Sequence, residues 1–202
     1  MKIYSFHKGG YASNSYAVCD DAMSVCFAVD PALTPAEMRA AVPSLSEIKG
    51  VLLTHGHFDH ILSLASYVSE GIPVYIHPND RDMLTDGYKN ASSLVSITPI
   101  TAYGASVNEV LDGQKIAIGD EKITVMHTPG HTAGSVCYLA DSFVITGDTV
   151  FAFGDRGRTD LYSGNEAEIY RSVERILALD GELTVYSGHG PKTKITDERK
   201  YY

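Results

Sequence analysis

The chain has 202 residues, 44% hydrophobic and 20% charged, enough to bury a sizeable core and far from the composition of a disordered chain. Its formal charge of −9 and the lack of any basic run argue against nucleic acid as a partner, because phosphate backbones are held by clustered Lys and Arg. No stretch approaches the ~20 apolar residues of a membrane span, and the opening "MKIYSFHKGG" has no signal core, so one domain over residues 1–202, cytoplasmic and away from membranes, is expected.

Short runs rich in Val, Ile, Tyr or Phe come first: "KIYSF", "SYAVCD", "SVCFAVD" and "GVLLTH", each bounded by Gly, Asp or Pro and each read as a strand. Cys19, Cys26 and Cys137 lie in such apolar stretches and are odd in number, which predicts reduced, buried thiols. In "TPAEMRAAV", Thr34 as N-cap, Pro35 at the first helical position and Glu37 as capping-box partner predict a helix start. After "THGHFDH", Ile61, Leu64, Ala65 and Val68 follow the spacing of an amphipathic helix, so the histidine cluster falls between strand and helix. "GIPVYIHP" reads as a further strand, and "NDRDMLTD" and "NASSLVS" as short helices.

The second half supplies "KITVMHT", "SVCYLA", "SFVITGD" and "LTVYSGH" as strands, with a long helix over residues 166–179. Asn165 and Glu168 are placed to form its capping box, and Ile169, Val173, Ile176 and Leu177 its buried stripe. Strands do not alternate strictly with helices, so two packed sheets with helices outside are expected.

The ligand-type residues all fall at strand ends. His55, His57, Asp59 and His60 follow "KGVLLT", His131 lies in "HTPGHTAGS", Asp148 ends "FVITGD" and His189 ends "TVYSGHG". In an extended segment residues i and i+2 point the same way, so His55 and His57 can grip one ion while Asp59 and His60, carried round by the incoming helix, face another. Five imidazoles and two carboxylates exceed what one tetrahedral ion accepts with a position left for water, which predicts two ions sharing a carboxylate, Asp148. Gly56, Gly130, Gly134, Gly147, Gly188 and Gly190 flank these positions, where tight turns are needed. His7, His77 and His127 stand outside the pattern and read as ordinary hydrogen-bonded histidines, and Tyr138 and Tyr162 as packing residues.

"THGHFDH" resembles the HxHxDH signature of the metallo-β-lactamase superfamily, and "PGHTAGS", "TGD" and "SGHG" resemble its remaining metal motifs in the same order. The resemblance implies an α/β fold, an αββα four-layer sandwich. It further implies a first metal on His55, His57 and His131, a second on Asp59, His60 and His189, and Asp148 bridging. Two divalent ions are implied as cofactors, zinc first, with iron and manganese also suited to these donors. "GDRGRTDLYSGN" and "MLTDGYKNAS" resemble short glyoxalase II-like hydrolases, which implies a small-molecule thioester substrate such as S-lactoylglutathione, attacked by hydroxide generated at the metals. Asp59 and His57 are the catalytic candidates, and Arg158 and Asp160 either touch substrate or pair with each other to shape a loop. The "GRTD" run also resembles persulfide dioxygenases that use one iron, and a lactone is a further substrate of similar carbonyl chemistry.

Overall fold

A computed structural model describes residues 1–96 and 98–202. Two six-stranded mixed sheets form its middle. The first runs in the order β1 (Lys2–Phe6), β2 (Ser15–Cys19), β3 (Cys26–Val29), β4 (Ile48–Leu52), β5 (Val74–Ile76) and β6 (Val107–Glu109). The second places β12 (Thr193–Lys194) next to β11 (Thr184–Ser187), followed by β10 (Phe143–Gly147), β9 (Val136–Leu139), β8 (Glu121–His127) and β7 (Lys115–Ile118). β6, β7 and β12 carry no strong β pattern in the sequence; their pairing comes from the neighbouring strand.

Every residue of β2, β3 and β10 is buried, because both faces of each sheet are covered. Tyr16, Val18, Phe27, Val29 and Leu52 meet Ile123, Val125, Val136, Tyr138 and Ile145 between the sheets. The alternate residues Ala17, Ala28 and Val51 face outward and are covered by α1 (Pro35–Ala41) and α2 (Leu64–Ser69). On the far side Val144 and Val185 are covered by α3 (Glu166–Leu177) and α4 (Ile195–Glu198). The layers are therefore α, β, β, α, as expected. Tyr138 is fully buried and its hydroxyl donates to Leu53 O at 2.8 Å, satisfying the one polar atom it carries into the sandwich.

Local signals held where they were strong and shifted where tertiary contacts intervened. The Thr34–Glu37 capping box forms in both directions. At α3 only half of the expected box forms: Asn165 Oδ1 accepts from Glu168 N, but Asn165 N donates to Gly130 O at 2.8 Å and so is already satisfied. α2 begins later than expected because a 3-10 turn over Phe58–His60 precedes it; the phase change buries Tyr67 and leaves Ala65 exposed. Tyr162 is likewise exposed rather than packed.

The cysteine reading needs correction. Cys19 and Cys26 are register partners across β2 and β3, with Cα atoms 4.0 Å apart, and form a disulfide; only Cys137 is a free, buried thiol. Asp20 N donates to Val25 O, so the neighbouring Cys19–Cys26 pair is of the type whose side chains stand closest. Hairpin register, invisible in a seven-residue spacing, made the pair. The expectation of three reduced thiols therefore fails for Cys19 and Cys26 and holds for Cys137, while among the described residues no helix is long and apolar enough to cross a membrane.

His77, just after β5, and His127, ending β8, stack with ring centroids 4.1 Å apart. Burial, reinforced by His127 and opposed by Glu109 and Asp112, pushes His77 down to about 4. A base with a depressed folded pKa contributes stability above its ordinary value of 6.5, and that contribution is lost as pH falls from there to about 4. Across this window the unfolding temperature of the wild type is expected to fall more steeply than that of His77→Phe. Parallel curves in a thermal-unfolding pH series would count against it.

Candidate metal centre

One edge of the sandwich gathers four strand ends. β4 delivers Thr54 and His55, the loop after β8 delivers His131, β10 delivers Asp148 and β11 delivers His189, while the 3-10 turn after β4 carries Asp59 and His60. All seven residues singled out in the sequence come together here. Donor atoms converge in three groups: His55, His57 and His131; His55, His60 and Asp148; Asp59, His60 and His189.

His57 Nδ1 lies 2.9 Å from His131 Nε2, which lies 3.1 Å from His55 Nε2. Such spacing is near the ~3.3 Å edge of a tetrahedron of nitrogens around a zinc-sized ion. His60 Nε2 faces Asp148 Oδ1 at 3.3 Å and Asp59 Oδ2 at 3.6 Å, and His189 Nε2 faces Asp59 Oδ2 at 3.0 Å. Asp148 also approaches His131 at 3.4 Å and His189 at 3.7 Å, so it alone of the two carboxylates contacts both histidine groups.

Hydrogen bonds behind the centre set which nitrogen each ring turns inward. His131 Nδ1 donates to Arg158 O at 2.7 Å, and His60 Nδ1 donates to Asp30 Oδ2 at 2.8 Å. Thr54 Oγ1 donates to the same carboxylate at 2.7 Å, which leaves it to accept from His55 Nδ1 at 3.1 Å. In all three rings Nδ1 is committed away from the cluster, so Nε2 is the atom turned inward, and it presents its lone pair once the ring is neutral, the state a metal needs.

The charges agree. Burial drives His57 down to about 3 and His55 well below the ordinary imidazole range, so both are neutral. Burial opposes the charge on His60 as well, yet Asp59, Asp148 and Asp30 outweigh it and hold its pKa well above 6.5. Burial raises Asp59 and Asp148, but His60 and the other imidazoles around them pull both below the usual carboxylate range. The pocket thus calls for positive charge.

His60 Nε2 and Asp148 Oδ1, both in the donor groups, are buried without a hydrogen-bond partner among the described residues. Leaving such atoms unmatched costs about 1–3 kcal/mol each. A cation held by these donors removes that cost, and the residues fit divalent metal. Gly188 belongs to the same fit, since a Cβ there would overlap the Asp148 carboxylate.

Three supporting residues carry no signature in the sequence. Asp30, buried at φ +47 after β3, orients His60 directly and His55 through Thr54. Arg156 lines the cleft described below. Asp80, fully buried, accepts from Gly56 N at 3.1 Å, Thr132 Oγ1 at 2.7 Å and Gly134 N at 2.8 Å, tying the His55–His57 loop to the His131 loop. Asp80→Ala strands these three donors and is expected to lower stability by roughly 2–4 kcal/mol, read by denaturant unfolding; a loss below 1 kcal/mol would mean that water replaces the carboxylate.

A cleft of about 420 Å³ opens over the centre, with His57, Asp59, His131, Asp148 and His189 at its base and Tyr11, Phe58, Phe151 and Leu161 on its walls. His55 and His60 lie beneath, almost wholly buried. Arg158 lines the cleft but is paired with Asp160 through two contacts of 2.6 Å, and Asp160 turns away into a neighbouring cavity. Of the two alternatives for this pair, mutual pairing is the one the side chains adopt. His7, His77 and His127 are outside the cluster.

The family described as the metallo-beta-lactamase superfamily matches residues 9–189. An uncharacterized protein of Mycobacterium leprae is 41% identical over 100% of this chain and 97% of its own. The probable metallo-hydrolase YqgX of Bacillus subtilis is 38% identical over 74% of this chain and 72% of its own. Among solved structures, the BLEG-1 B3 metallo-beta-lactamase superposes with a TM-score of 0.87 at 32% identity, covering 98% of this chain and 97% of the other. TTHA1623, crystallised in a di-iron-bound form, superposes with a TM-score of 0.84 at 28% identity, covering 98% of each chain.

Proposed function

The chain belongs to the metallo-beta-lactamase superfamily and is a metal-dependent hydrolase, and from that premise we propose that it cleaves a small thioester, S-lactoylglutathione or a related hydroxyacyl thioester. Two divalent ions, zinc first, are the proposed cofactors, the first on His55, His57 and His131 and the second on Asp59, His60 and His189, with Asp148 between them. The position of Asp148, whose two oxygens face histidines of both groups, is the observation that carries the two-ion reading.

When bound, such ions supply Lewis acidity and lower the pKa of water toward neutrality. The chain's own residues do the rest. Asp59 reaches the cleft floor with its carboxylate held ionised, placed to orient a water and accept its proton. His57 stays neutral and shares that floor. Tyr11, Phe58, Phe151 and Leu161 give the cleft apolar walls against which an acyl group can pack. Among the described residues the charged groups on the walls are Arg156 and Arg158, the latter committed to Asp160, and no carboxylic acid stands above the floor to protonate a leaving group. A thiolate leaves without one, whereas an amine would not.

The test is elemental analysis of protein purified without added metal, followed by assays on that same sample. About two metals per chain with hydrolysis of S-lactoylglutathione is the expected result. One iron per chain, with oxygen uptake on glutathione persulfide, would replace the reading with a dioxygenase. A β-lactam and a lactone in the same panel check the other carbonyls within reach of such a site; faster turnover of either would displace the thioester.

A further inference from the structure

We propose that Arg156 makes the rim of the cleft a carboxylate-binding subsite, so that the enzyme selects thioesters carrying a carboxylate away from the reacting carbonyl. The substrate part rests on the thioester reading above; the anion site does not.

The segment around Arg156 has no regular secondary structure, yet it is fastened to the centre. Gly157 N donates to Asp148 O at 2.8 Å, and Arg158 O accepts from His131 Nδ1 at 2.7 Å. Gly157 allows this approach, because a Cβ there would lie 2.6 Å from His131 Nδ1. Arg156 is therefore held at a set place relative to the cleft floor, directly before two residues whose backbones touch the candidate ligands.

Its side chain is preorganised as well. The guanidinium lies 4.4 Å from the ring centroid of Tyr170, on α3, and Nη2 donates to the Tyr170 hydroxyl at 2.6 Å. Stacking of this kind holds the planar group still while leaving other N–H groups free. The guanidinium also interacts with the Tyr202 hydroxyl, and both tyrosines are neutral partners.

Charge and position together set Arg156 apart: among the described residues Arg171 and Arg199 also lack a carboxylate partner, but both are exposed and neither lines the cleft. Arg39, Arg81, Arg158 and Arg175 pair with Glu70, Glu109, Asp160 and Asp112. Among the described residues Arg156 has no carboxylate within ion-pair distance of its guanidinium, in a chain whose formal charge is −9. The Asp155 carboxylate accepts from the backbone N of Arg156 instead. A half-buried arginine that lines the active cleft, is fixed by an aromatic ring and lacks a counterion matches a planar anion, which it can engage through two parallel N–H groups. Carboxylate is the proposed class; it could sit on the thiol or on the acyl side of the substrate.

The test compares each free acid with its ester. S-lactoylglutathione and its diethyl ester probe the thiol side, and the succinyl thioester of N-acetylcysteamine with its methyl ester probes the acyl side. For one of the two pairs the wild type is expected to favour the acid by roughly 10–100-fold in kcat/KM, as loss of a charged hydrogen-bonded contact implies. Arg156→Ala should collapse that ratio toward unity with metal content unchanged, and Arg156→Lys should fall between. Calorimetric binding of S-hexylglutathione and its diethyl ester, which needs no chemistry, reads the thiol-side site alone. If no thioester turns over but Arg156→Ala still abolishes the preference for the acid in calorimetry, the subsite stands and the hydrolase reading falls. Equal losses for acid and ester in both pairs, or an acid preference that survives Arg156→Ala, would overturn the subsite.

Discussion

Asp148→Ala is expected to lower turnover by roughly a thousandfold or more, the scale on which an active site loses rate when a main electrostatic element is removed. Metal content should drop together with turnover, from about two ions per chain to one or none. The reason is positional: Asp148 Oδ1 faces His60 and its Oδ2 faces His131 and His189, so one carboxylate closes both donor groups. Removing it also leaves the raised His60 and His189 imidazoles with one less negative neighbour, so their affinity for protons should fall as their hold on metal does. Elemental analysis and initial rates on one preparation decide the matter. A variant that keeps two ions and works within tenfold of wild type would show that Asp148 is not shared.

Asp30→Ala tests the layer behind. Asp30 touches no substrate, yet its carboxylate accepts from Thr54 N at 2.8 Å, Thr54 Oγ1 at 2.7 Å and His60 Nδ1 at 2.8 Å, all buried. Its loss frees the His60 ring, releases the Thr54 hydroxyl that steadies His55, and removes one of the three carboxylates that favour positive charge at His60. Metal affinity is expected to weaken about 10–100-fold, the usual cost of losing the outer partner of a ligating histidine. Stability should fall by roughly 3–5 kcal/mol, since a buried partner is removed from a charged pair. Asp30→Asn keeps the shape and one acceptor, so it separates misfolding from misorientation: it should fold and still bind metal more weakly. Wild-type affinity in Asp30→Asn, measured by competition with a chelator, would leave Asp30 with a purely structural role.

Much of this was legible in the chain. Strands with apolar residues in both alternate positions predict sheets covered on both sides, and β2, β3 and β10 are buried throughout for that reason. The Thr34-Pro35-Glu37 start is a local device that needs no partner from elsewhere, and it formed in full. The opposite holds for Tyr67, Tyr162 and Asn165, where a 3-10 turn, a loop position and the Gly130 carbonyl overruled a local pattern.

By itself the sequence determined the kinds of element, the positions of the glycines that let them turn, and which donor types stand at strand ends. Those features depend on side-chain chemistry and on spacings of two to four residues, the range over which backbone periodicity acts. Only the tertiary structure decided that Cys19 bonds Cys26, that Asp30 and Asp80 stand behind the ligands, and that Arg156 faces the cleft without a counterion. Asp30 meets His60 across 30 residues and Asp80 meets Gly134 across 54, and an aspartate or arginine of ordinary type carries no mark of such a partner until packing brings the two together.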